Sequence, residues 1–165
     1  MRTAHASLQL QREKLLNSLR IQNESRMLSS HDKNIYKLAL AMLYLGEGAK
    51  WKSHSGLLLG SSDPNIIGIY LYLVRVCYNL MPENLKCRVS YRADQNIEEL
   101  ENYWSTITTI PLENFYETKP DARTIGKPTR DGNYKGVCVI MGGGTAIQHE
   151  LDIIARLLLK NLQGP

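Results

Sequence analysis

From Lys37 to Leu45 the chain reads KLALAMLYL, and every residue after Lys37 is apolar or aromatic. At helical spacing this stretch places Ile35, Leu38, Ala39, Met42 and Gly46 on one face, and Tyr36, Leu40, Leu43 and Glu47 on the next. A helix that is apolar over two adjacent faces needs cover on both, one from its own sheet and one from elsewhere. Ala39, Ala41 and Gly46 are small enough to let a second backbone approach, so another copy of the same helix is a natural cover.

The run ends in Gly46-Glu47-Gly48. A carboxylate buried beneath Tyr36, Leu40 and Leu43 would cost several kcal/mol unless paired, neutralised or bound to a cation. The helix C-terminus adds about half a negative charge. A carboxylate beside exposed helix carbonyls is, however, what a hard divalent cation accepts. At a twofold axis two Glu47 side chains would meet and repel unless metal bridged or flanked them. The alternative is that Glu47 sits in solvent just past the helix end, beside Lys50.

A chain of 165 residues suits one domain with a core of its own. A net charge of +4 is a mild basic bias that fits an anionic partner. Cys77, Cys87 and Cys138 form no C-x-x-C pair and no even set, which argues against a disulfide framework and a structural zinc site. The opening MRTAHASLQLQREK lacks a signal-peptide core, and the longest apolar run, 66–80, is interrupted by Arg75 and Asn79. The expectation is a soluble, cytoplasmic protein.

Residues 1–32 read as a helical arm: 6–28 carry Leu8, Leu15, Leu19 and Ile21 among polar residues, and Ser29 to Asp32 form a break that can cap the next helix. The arm's Arg2, Arg12, Lys14, Arg20 and Arg26 outnumber Glu13 and Glu24, which suits either phosphate contact or a solvated face. The body, 33–165, then runs helix, short extended pieces, helix, strand, helix, strands, helix, so the class is α/β or α+β. GLLLGSSDP is a strand and turn whose Asp63-Pro64 starts a helix. LKCRVSYRAD alternates like a half-buried strand, and NIEELENYWSTI is helical. Pro111, Pro120, Gly126, Pro128 and Gly132 mark a long loop, YKGVCVIM a strand, and TAIQHELDIIARLLLK a closing helix capped by Thr145.

The nine residues Leu40 to Gly48, LAMLYLGEG, resemble the LAGLIDADG motif of homing endonucleases. Leu40, Ala41, Leu43 and Gly48 match outright, Gly46 replaces the small seventh residue and Glu47 the final acid. GEGAK, SSDP, YRAD, YWS and GVC are also similar to single-motif prokaryotic members of that superfamily. The resemblance implies an αββαββα domain with a curved, mainly antiparallel sheet, plus one extra helix around Tyr103-Trp104. It implies a homodimer through Ile35, Leu38, Ala39, Met42 and Gly46 that binds double-stranded DNA. Glu47 inherits the duty of catalytic acid and ligand for magnesium, so the activity would be a metal-dependent endonuclease, a hydrolase. Met42 departs from the family's close-packing glycine, and Leu45 from its first aspartate. Regulators of the superfamily keep the fold without cutting.

DNA would meet the sheet and the long loop. Lys86, Arg88, Ser90 and Arg92 alternate outward on their strand, Lys119, Arg123, Lys127, Arg130 and Lys135 populate the loop, and Lys50 and Lys52 follow the motif helix. An ordinary wet sheet face is the alternative for the strand. Tyr103 and Trp104 fit a core better than a stacking surface, and the four histidines share no ligand spacing. A rival function lies in GVCVIMGGGT, where a strand, three glycines and a helix start could cradle the phosphate of a nucleotide, although the P-loop lysine is missing. A third reading is a module that binds only protein.

Overall fold

The computed structural model describes residues 2–27, 32–49 and 56–164, and in the first of these stretches the side chains of 7–24. The chain divides into two compact units, residues 1–35 and 36–165. The first contains α1 (Arg2–Met27), an uninterrupted helix of 26 residues. Arg20 and Glu24 pair across one turn at 3.5 Å, and Leu8, Leu15 and Leu19 are exposed.

The boundary between the units falls within α2 (Lys33–Glu47), whose first turn is capped where Asp32 Oδ1 accepts from the Asn34 amide at 2.8 Å. Then follow β1 (Leu57–Ser61), α3 (Pro64–Tyr78), β2 (Lys86–Ser90), α4 (Ile97–Thr108), β3 (Val137–Gly142) and α5 (Gly144–Gln163). Local chemistry sets α3 at both ends. Asp63 accepts from the Asn65 amide, Pro64 opens the helix, and Asn79 closes it in the left-handed region at φ 56°.

The sheet has the order β1-β3-β2 with both pairs antiparallel, so the fold is mixed α/β around a small antiparallel sheet. Its register aligns Leu59, Ile140 and Cys87 in one row, and Leu57, Val89 and Cys138 extend the same buried face. Ile67, Tyr70 and Val74 of α3, Trp104 of α4, Leu151 of α5 and Leu40, Ala41 and Tyr44 of α2 complete the core. Trp104 is fully buried and donates from Nε1 to the Lys135 carbonyl at 2.7 Å, a core role. Lys37 pairs with Glu150 and stands 5.0 Å over the Tyr78 ring, fastening α2 to α5 and α3.

Two expectations need revision. Where a pair of strands was expected between α2 and α3, the described residues hold β1 and a single bridge joining Gly48 to Leu59; residues 50–55 lie outside the described residues. Thr145 does not cap α5: it is the helix's second residue, and Gly143 at φ 79° takes the cap position. Two of the three glycines are packed closely. A methyl on Gly142 would lie 2.6 Å from Leu85 Cδ2, and one on Gly143 would lie 2.9 Å from Leu80 Cδ1.

Candidate nucleic-acid interface

The long loop is laced to the outer edge of β2. Tyr116 donates its amide to the Cys87 carbonyl at 2.8 Å, Thr118 its hydroxyl to the Val89 carbonyl at 2.7 Å, and Asp121 its amide to the Tyr91 carbonyl at 2.9 Å. Taking every second carbonyl, the loop satisfies a strand edge that would otherwise be open to another chain. The turn after β2 then holds the loop's far half. The Ala93 amide donates to Thr124 Oγ1 at 2.8 Å, Arg92 Nη2 to the Lys127 carbonyl at 2.6 Å, and Gln95 Nε2 to the Tyr134 carbonyl at 2.7 Å. Asp94 accepts from both the amide and the hydroxyl of Thr129, which holds its carboxyl below the usual range.

Between this loop and the end of β2 lies a cavity of about 890 Å3. Arg92, Arg123, Lys127 and Arg130 line it against the single carboxylate of Asp121, with Tyr91 and Tyr134 as aromatic walls. Arg123 forms a two-oxygen fork with Asp121, which lowers that carboxyl to about 2. Four of the cations expected to meet DNA are thus brought to one hollow, and its net charge is positive.

The remaining candidates lie elsewhere. Lys86 donates to Asn114 Oδ1 at 2.6 Å, and Lys135 rests 5.9 Å from the centre of the Tyr103 ring. Arg88 is half-buried opposite Val139, and Lys119 is exposed on the loop. Lys50 and Lys52 lie outside the described residues. The sheet face that carries Lys86 and Arg88 is apolar along Leu58, Val139 and Met141, so its positive charge is confined to β2. Arg92 also clamps the loop's main chain.

The face of α2 assigned to a second copy is open. Ile35 is 51% exposed and Leu38 37%, Ala39 and Gly46 are exposed, and Met42 is half-buried. Among the described residues Gly46 has nothing within 4 Å of where a methyl would stand, so they give no reason for glycine there. Gly48 differs: a methyl on it would lie 2.4 Å from the Tyr44 carbonyl, to which its amide donates at 2.8 Å as the chain turns toward β1. Met42 and Leu45 also border an apolar groove of about 480 Å3 with Ala155, Leu158, Leu159 and Leu162 of α5, an extension of this face that helical periodicity in α2 alone did not reveal.

Glu47 ends α2 in solvent, not beneath Tyr36, Leu40 and Leu43. Magnesium takes six oxygen donors in an octahedron. Among the described residues no group of three or more His, Cys, Asp or Glu could hold a metal ion; magnesium, which keeps several of its waters, is commonly held by only one or two carboxylates. Cys87 and Cys138 touch at 3.5 Å; that contact and burial push the Cys138 thiol up, away from reactivity. Among the described residues no helix is long and apolar enough to cross a membrane. Comparison with protein-family models, curated proteins and solved structures finds no match for the chain.

Proposed function

We propose that the protein binds double-stranded DNA as a homodimer, through a LAGLIDADG-type arrangement in which α2 packs on its counterpart. The observation that carries the DNA reading is the convergence of Arg92, Arg123, Lys127 and Arg130 on one concave surface with a single opposing carboxylate. The exposed apolar face of α2, with Gly46 unexplained by the described residues, supports the dimer. Three buried cysteines, with no disulfide among them, suit action in a reducing cytoplasm.

The same dimer would serve a cutting enzyme, with Glu47 as its metal ligand, or a regulator that only binds. The test is retention of a randomised duplex library by wild type and Glu47→Gln, with magnesium or with calcium. Retention that falls as salt rises is expected, because phosphate contacts release counterions. Failure to retain duplex at low salt would sink the proposal. Cutting that needs magnesium and disappears in Glu47→Gln would select the endonuclease, and retention without cutting the regulator.

A further inference from the structure

The hollow beneath the loop has a shape that lateral contact with a duplex does not require. Cations that follow a duplex backbone serve best when strung along a ridge or groove, each meeting one singly charged diester. Here Lys127 and Arg130 stand at the rim of one cavity with no acidic partner among the described residues, and Arg123 is held by an exposed ion pair. Such pairs are worth little, so Arg123 can be recruited at small cost. Charges gathered around one hollow suit a ligand whose own charge is concentrated at one point. A phosphate monoester carries nearly two charges at neutral pH, where a diester carries one.

The volume agrees. At about 890 Å3 the cavity falls within the range of small-ligand pockets, roughly 300–1,000 Å3. Tyr91 in its wall is buried in the core, but Tyr134 is half-buried at the wall, and planar rings stack on aromatic side chains without regard to base identity. Gly136 lets the start of β3 lie close to the Ser90 carbonyl, and the rim is pinned by Arg92 and Thr124 through main-chain groups. The site is therefore preformed.

We infer that this cavity is a binding site for a phosphate monoester attached to a planar base, either a free nucleoside monophosphate or the phosphorylated end of a nucleic-acid strand. The inference rests on reading the loop as a nucleic-acid surface and sharpens it, from a row of phosphate contacts to a socket for one nucleotide.

The experiment is calorimetric titration of the full chain with nucleoside 5′-monophosphates, with the matching nucleosides and with inorganic phosphate. The monophosphate should bind at least tenfold more tightly than either fragment. Lys127→Ala and Arg130→Ala should each weaken it roughly tenfold, as expected for a charge-assisted hydrogen bond. Both side chains are exposed, so circular dichroism should show these variants folded. Tyr134→Leu should erase the preference for monophosphate over inorganic phosphate while leaving phosphate binding in place. Competition by a 5′-phosphorylated single-stranded hexamer, but not by its unphosphorylated twin, would assign the site to strand ends; no competition by either would assign it to free nucleotide.

The inference is overturned if no monophosphate binds at roughly 1 mM, or if the Lys127→Ala, Arg130→Ala double variant binds it as well as wild type. Duplex binding measured on the same samples separates the two ideas. Duplex retained without monophosphate binding overturns the socket and keeps the DNA reading. Monophosphate bound without duplex overturns the DNA reading and keeps the socket.

Discussion

Gly136 sits buried at φ 70°, where a methyl would meet the Ser90 carbonyl at 2.7 Å. Gly136→Ala combines a left-handed backbone with a clash against main chain, so it should destabilise the protein by about 1–3 kcal/mol, read as a lowered midpoint in thermal unfolding. Trp104→Phe removes the donor to the Lys135 carbonyl and leaves space in the core; a loss of about 1–3 kcal/mol is expected in urea unfolding. Residue roles of this kind were partly legible. Trp104 reads as core from its helical spacing, and Asp63-Pro64 as a helix start, because both depend on neighbours in sequence. Arg92 was illegible: alternation along β2 points it outward, and only the folded loop reveals that it grips the Lys127 carbonyl.

At the scale of elements, α2 offers a variant whose two effects have opposite sign. Gly46→Ala should stabilise the isolated chain by about 0.5–1 kcal/mol, since a glycine inside a helix is costly and space is open around it. The same methyl should weaken self-association if another helix lies against that face, so thermal stability and dimer affinity would move apart. Sequence periodicity found this face but left Glu47 two places, beneath Tyr36, Leu40 and Leu43 or in solvent, and the fold gives solvent.

The loop element has an acid limit. Asp121 in the folded chain titrates at about 2, below its usual value of 3.8. Its contribution, small because the pair with Arg123 is exposed, is fully present above roughly pH 4 and lost as the pH falls toward 2. Asp94 is shifted in the same direction by Thr129. Cleavage within 121–134 by an acid-active protease should rise through that window before the core unfolds. The length of this loop was readable from its prolines and glycines. Its attachment was not, because Thr118, Thr124 and Thr129 bond to groups 29 to 35 residues away.

For the whole molecule, sedimentation should give a dimer, and Leu38→Glu should give a folded monomer with unchanged circular dichroism, because Leu38 is already partly in solvent. A wild-type monomer at all concentrations would remove the partner from the account of α2. The mixed α/β class was legible from the alternation of strand and helix patterns, since those periods are local. The convergence of Arg92, Arg123, Lys127 and Arg130 was not, because it depends on how the loop folds back along β2.

The loop is held by its own backbone and by Arg92, Asp94, Gln95, Thr118, Thr124 and Thr129, whereas the side chains at 123, 127 and 130 are exposed. What the rim recognises is thereby separated from what keeps the rim in shape. Substitution at those three positions can rewrite the preferred ligand without asking the scaffold to refold, which makes this hollow the part of the protein most open to change by selection or by design.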